Sequence, residues 1–406
     1  MIRRLLPLLL LGGFVLLATG CSEKNYFEPK EIQGSVQYDG ELPAKIVEIG
    51  YAAATLENGQ VITKEGLQSF KLPKGYRYIA GAGPLVAAAG DCKPNIVYDT
   101  DTNETIRLDL PRRMVAALFI PGSDTLAFVL EGNSYGLYDY RRKKLIAKYT
   151  SDPAITADIR IANPIMLDQL VLMPTLDGKL VILNKTTGGK IREIVVGKGE
   201  EFNNIIYLNV IGNRLVAATP HRIISVSPKI MDAQSMEIAD VVFVDDAIYI
   251  LAKDGTIYHC DVDLKILDSR KFPFAHFVGV IYGEFIYVVE REGYIIATDP
   301  MLSMANVFKI PDRIDDWFFT TTDAFYYDRY YFKLHTAAEA TEERETSAGT
   351  AETAGETGAG EEAAPEAAGS QENNASKNES WFSEIWESLK KMTRPDESDG
   401  TIRSDD

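Results

Sequence analysis

The sequence predicts an all-β chain folded as a β-propeller, with eight blades the best fit and seven the alternative. Three observations point there. A glycine-centred motif recurs at multiples of about 39 residues, the strands around it are apolar on both faces, and each repeat is too small to bury a core alone. Paired β-sandwich domains would not keep such a period, and a parallel β-helix would need shorter repeats.

In chain order, residues 1–20 read as a signal peptide outside the fold. Arg3 and Arg4 supply positive charge, and Leu5 to Leu17 form an apolar stretch too short for a comfortable membrane span. Leu17-Ala18-Thr19-Gly20-Cys21 then places small residues before a cysteine. This resembles the lipobox of bacterial lipoproteins, although Ala18 stands where leucine is commoner. The resemblance implies cleavage before Cys21 and its modification with diacylglycerol and a further acyl chain such as palmitate. An ordinary secretory signal with an incidental cysteine is the alternative. Two or three acyl chains anchor stably where one does not. Ser22, rather than aspartate, resembles an outer-membrane address in a Gram-negative host. The expectation is a lipid-anchored envelope protein, on the outer membrane facing the periplasm, with residues 21–30 as anchor linker.

The propeller is expected over residues 31–335. In LDGKLVILNKTTGGKIREI, from Leu176 to Ile194, Asp177-Gly178 is a tight-turn pair, because glycine takes positive φ without steric cost. The continuously apolar runs Leu170–Met173 and Leu180–Leu183 flank it, as expected of strands covered on both faces. Thr187-Gly188-Gly189 turns into a third strand at Ile191–Val196. Gly59, Gly178, Gly255 and Gly293 are each followed six residues later by Glu65, Asn184, Asp261 and Asp299. The glycines are 119, 77 and 38 residues apart, close to three, two and one repeats. Weaker copies begin at Leu85, Leu126 and Leu215. Seven full units run from about residue 43 to 310, and the copy beginning at Asp323 lacks its last strand. A ring closed by the N-terminus would leave such a gap, and Gln33–Tyr38 is the segment expected to fill it.

Leu183 to Lys190 (LNKTTGGK) resembles the turn of PQQ-like propeller repeats, with Asn184 for aspartate and one extra glycine; weaker versions stand at Asp99 and Asp139. The resemblance implies a fold more than an activity. In quinoprotein dehydrogenases such turns end in a docking tryptophan, where this chain has Ile191, Ile106 and Leu145. Those enzymes also hold the quinone against a disulfide of adjacent cysteines, and no cysteines are adjacent here. Cys92 and Cys260 fall in units two and six, too far apart to bond, and read as small buried hydrophobes. No cofactor is expected.

Other chemistry is equally sparse. His259 and Cys260 are strand neighbours that point to opposite faces, so they cannot share a metal. His221 reads as a solvated turn residue. Asp245-Asp246, Asp261 with Asp263, and Asp315-Asp316 read as turn caps. No GxSxG, P-loop or HExxH occurs, so no enzyme is expected. A net charge of −17 without a basic run outside the leader argues against nucleic acid.

Past His335 the composition changes. Residues 336–380 hold eleven Glu against Arg344 and Lys377 and almost no large apolar residue, as in a disordered acidic linker. Trp381, Ile385, Trp386 and Leu389 then recur on one face of an amphipathic helix over 381–392, able to bind a partner, a membrane surface or the propeller itself. Residues 393–406 read as a disordered tail.

A lipid-anchored, PQQ-like propeller of this size resembles the BamB family of outer-membrane β-barrel assembly lipoproteins. That resemblance implies a non-catalytic protein-interaction scaffold whose partners include the β-barrel assembly machinery. The acidic linker and terminal helix depart from the family. The alternative is a module binding a glycan, peptide or small molecule, which should show an aromatic and polar cluster at one mouth of the channel.

Overall fold

The computed structural model describes residues 26–154, 160–197 and 203–334. Cys21, and the tail with Trp381, Ile385, Trp386 and Leu389, lie outside the described residues.

The described residues form eight sheets around one ring. Blade 1 is a four-stranded meander of Ile46–Ile49, Ala53–Leu56, Gln60–Thr63 and Gly66–Lys71. Blade 2 starts at Arg77, blade 3 at Met114, blade 4 at Ile165, blade 5 at Tyr207, blade 6 at Ile238, blade 7 at Phe277 and blade 8 at Phe318. Eight core clusters each join two consecutive blades. Val171, Met173, Val181 and Leu183 of blade 4 pack on blade 3, for example, while Leu172, Leu180 and Ile182 pack on blade 5. The alternation of faces along a strand therefore reads as a solid apolar run, since both faces meet a neighbour. The fourth strands, by contrast, alternate half-buried and exposed, as in Gly66–Lys71.

The repeated glycine has a specific task. Gly255 turns between the second and third strands of blade 6 at φ 82°, and its carbonyl accepts the Phe272 N–H at 2.7 Å where the fourth strand ends. A Cβ at Gly255 would lie 2.2 Å from the Phe272 oxygen. Gly59, Gly178 and Gly293 make the same bond to Leu72, Val196 and Ile310. In the weaker copies Asn95, Asn133 and His221 occupy this place, and their carbonyls accept from Leu108, Ser151 and Met236. The motif fades in those blades because the backbone bond survives without glycine.

The acid six residues on caps the next turn. Asn184 Oδ1 accepts from the N–H of Thr186 and Thr187 at 3.0 and 2.9 Å, and Asp261 Oδ1 from Asp263 and Lys265 at 2.9 Å.

Ring closure differs from the expectation. Gly40–Glu41, rather than Gln33–Tyr38, is the fourth strand of blade 8, antiparallel to Tyr330–Lys333. The preceding segment pairs one blade earlier: Gly34–Ser35 runs parallel to Ala305–Lys309 as a fifth strand of blade 7. Tyr38 bridges the two, stacking on Tyr330 at 5.0 Å. Phe27, which composition places in the anchor linker, is buried between blades 6 and 7, edge-on to Phe272 and Tyr294 at 6.3 and 5.6 Å. An aromatic ring in an otherwise polar stretch finds a seam that only the assembled ring provides.

Candidate functional site

In a four-stranded meander, the start of the first strand, the turn between strands two and three and the exit of strand four share one end. That end of blades 5–8 forms a mouth of about 880 Å³ leading into the central channel. Three aromatic rings line it: Phe277 at the entry of blade 7, and Trp317 and Phe318 at the entry of blade 8. Its polar lining is Arg160, His221, Lys253, Arg291, Asp315 and Asp316. Aromatic and polar groups thus do gather at one mouth.

The charges there are cross-linked. His221 Nδ1 lies 2.7 Å from Glu237 Oε1, and Lys253 Nζ is 3.2 Å from Glu237 Oε2. The hydrogen bond to His221 is the main force holding the Glu237 carboxyl below its usual range. Asp315 lies 3.3 Å from Arg313 Nε and 3.7 Å from Arg291 Nε. Arg160 reaches across to donate to the Ala239 carbonyl at 3.4 Å. Beside it burial pushes the Asp240 carboxyl up against the pull of Arg160. Below the mouth Glu290 is fully buried; its oxygens accept the N–H of His276 at 3.1 Å and of Glu292 at 2.8 Å, and desolvation lifts its pKa to about 7.

The opposite end of blades 5–7 differs. Ile230 and Met231 in blade 5, Ile266 and Leu267 in blade 6, and Met301 and Met304 in blade 7 are all exposed, Met304 by 66%. All six lie where third strands turn into fourth strands or just after. Adjacent blades are tied along this rim: Gln234 Nε2 donates to the Leu264 carbonyl at 3.2 Å, and Arg270 to those of Leu302 and Ser303 at 3.0 and 2.7 Å.

Several single-residue readings change. Cys92 is exposed rather than buried, because it sits in the turn between the second and third strands of blade 2 at φ 53°. Cys260 is buried in the seam of blades 5 and 6, where desolvation lifts its thiol to about 12. His221 is half-buried and paired rather than a solvated turn residue. His259 stacks on Tyr249 at 5.1 Å, facing the seam away from Cys260. Ile191 and Ile106 are partly buried and Leu145 is exposed, at the positions where quinoprotein turns carry a docking tryptophan. Among the described residues no group of three His, Cys, Asp or Glu could hold a metal. Arg160, Lys253, Phe277 and Arg291 did not stand out in the sequence. A signal existed for two of them: Lys253 and Arg291 each stand two residues before a repeat glycine, at the mouth end of a blade.

No family model matches the chain. Among solved structures, BamB from Moraxella catarrhalis superposes with a TM-score of 0.56 at 15% identity, over 75% of this chain and 99% of that one. The fold is that of a BamB-like propeller. Sqt1 from Saccharomyces cerevisiae superposes with a TM-score of 0.53 at 10% identity, over 75% of this chain and 100% of that one. The BamB-like label thus carries fold and nothing more. In sequence, the chain is 29% identical over 381 residues to the plasminogen-binding protein PgbB of Helicobacter pylori strain J99, covering 80% of this chain and 70% of that protein. The PgbB of strain 26695 is 28% identical over 380 residues, with the same coverage.

Proposed function

We propose that this chain is a non-catalytic, protein-binding propeller carried on the cell envelope by a lipid on Cys21. The observation that carries the reading is similarity along 80% of the chain to proteins named for binding another protein, plasminogen. Surface chemistry supports it. The rim of blades 5–7 exposes flexible methionines and branched aliphatics, the side chains that adapt to a partner's surface. The charged groups of the mouth are engaged with one another, as in a structural network, rather than converging on a reacting atom. The lipobox-like run before Cys21 supports an anchor, and Ser22 an outer-membrane address. A role in β-barrel assembly is a narrower reading that draws on fold.

The test is binding of purified chain, lacking residues 1–20, to immobilised plasminogen, with serum albumin as control. Saturable binding specific to plasminogen is expected. Equal binding to both proteins, or none to either, overturns that partner. Cross-linking from envelope membranes would then identify the partner, and recovery of the β-barrel assembly machinery would favour the narrower role.

A further inference from the structure

We propose that the channel mouth is a blind pocket for a carboxylate-headed amphiphile, with the apolar tail in the throat and the head among the basic turns of blades 5–7. This site goes beyond the protein-binding reading and does not depend on it.

A side chain that crosses the channel stops its far end. Tyr51 stands in the turn between the first and second strands of blade 1, at the end opposite the mouth. In a ring of eight, blade 5 lies across the axis from blade 1. Tyr51 nevertheless packs against the seam of blades 4 and 5, and its hydroxyl takes a hydrogen bond from the Leu208 backbone. Tyr207, the first residue of blade 5 and itself buried, lies near enough for the two phenols to interact. A tyrosine of blade 1 makes these contacts only by spanning the channel.

The throat above this floor is apolar. Ile49, two residues before Tyr51, lines the cavity together with Ala239 and Val278 from the first strands of blades 6 and 7. Aliphatic side chains from three blades make an irregular wall that a flexible alkyl tail can follow. About 880 Å³ is the size of a small-molecule site. With one end stopped, a ligand enters and leaves by the mouth.

The head is placed by charge. His221, Lys253 and Arg291 stand in the turns between the second and third strands of blades 5, 6 and 7, and all three line the mouth. Their carboxylate partners are open to water: the Glu237 and Asp315 side chains are 59% and 55% exposed. Screening weakens such pairs, so an incoming carboxylate can share the same bases. On a chain with a formal charge of −17, this gathering of bases around an apolar throat selects an anionic head over a cationic one.

The test uses the chain lacking residues 1–20, with Trp381→Phe and Trp386→Phe so that Trp317 at the mouth is the remaining indole. Octanoate, dodecanoate and hexadecanoate are titrated below their aggregation limits, with Trp317 emission and calorimetry as readouts. One-to-one binding of dodecanoate with a blue-shifted emission is expected. Affinity should rise roughly fourfold per methylene from octanoate and stop rising before hexadecanoate, where the tail meets Tyr51. Dodecyltrimethylammonium, with the same tail and a cationic head, should bind at least about tenfold more weakly, and Lys253→Ala with Arg291→Ala should weaken dodecanoate by about as much at an unchanged melting temperature. Binding at many sites without a shift of Trp317, or none at all, overturns the pocket. A climb without a break through hexadecanoate overturns the blind floor, and equal binding of the cationic amphiphile overturns the choice of head. Plasminogen binding, measured with and without dodecanoate, is read separately, so either proposal can fail alone.

Discussion

The two ends of blades 5–7 are made by the same strands and carry opposite surfaces. At the mouth, aromatic rings and charges gather in a concave site, and several of the charges are paired: His221 and Lys253 share Glu237, and Arg291 and Arg313 share Asp315. At the rim, Ile230, Met231, Ile266, Leu267, Met301 and Met304 stand exposed where third strands turn into fourth strands. The reason lies in the meander. Its mouth end carries the turn between strands two and three near the ring axis, where turns from many blades converge and can pair. The turn between strands three and four lies outermost, where neighbours diverge and side chains face solvent. A propeller can thus hold a largely self-satisfied polar site and an exposed apolar one on a single blade.

The largest effect should come from removing the N-terminal segment that closes the ring. Deleting residues 26–41 takes the fifth strand from blade 7 and the fourth from blade 8, and leaves open sheet edges. Loss of cooperative thermal unfolding, or insolubility, is expected. A normal melt would mean that another segment closes the ring, and both surfaces would survive.

Glu290 next separates the two ends by pH. Its folded pKa of about 7 lies above the ordinary 4.5, so the native state holds a proton that the unfolded chain has lost. The stability this gives is fully present below about pH 4.5 and is lost as pH rises through about 7, amounting to about 3 kcal/mol. Glu290→Gln should flatten that pH dependence in denaturant melts. Hydrogen exchange should show the mouth-side turn of blade 7 loosening at high pH while the rim stays protected. An unchanged slope in the variant would place the titration elsewhere.

A smaller change should sharpen the contrast in binding. Met301→Ser with Met304→Ser removes apolar surface without touching a seam. It should weaken a soluble protein partner by about tenfold, or about 1.4 kcal/mol, with an unchanged melting temperature. Trp317→Ala should leave that affinity alone. The reverse pattern would make the mouth the protein-binding end.

The least should follow from Glu237→Gln. Its ion pairs are largely exposed, and screening holds such pairs to less than about 1 kcal/mol. A loss of several kcal/mol in a thermal melt would show that the His221–Glu237–Lys253 group is a structural keystone of the mouth.

Much of the architecture was legible because each blade repeats the same local problem. Gly59, Gly178, Gly255 and Gly293 stand where the chain turns with positive φ while its carbonyl caps the outgoing fourth strand, so one residue type returns at a fixed place. Asn95, Asn133 and His221 obscured the period because they meet the same requirement differently. The mouth was much less legible. Arg160, Phe277 and Trp317 are 157 residues apart at most in the chain, at the entries to three different blades, and no local pattern marks them as neighbours.

The sequence by itself determined what is local: turn chemistry, strands apolar on both faces, the repeat of about 39 residues that calls for stacked blades, and the composition break after His335. Tertiary structure alone decided what depends on closing the ring. Gly34–Ser35 joins blade 7 and Gly40–Glu41 joins blade 8, a division of one short segment that no nearby residue dictates. Phe27 finds its seam only once blades 6 and 7 stand side by side, and the mouth exists only where entries from separate blades converge. Hydrogen bonds within a meander are set by neighbours in sequence. Seams, closure and channel are set by which surfaces meet when the chain returns to its start.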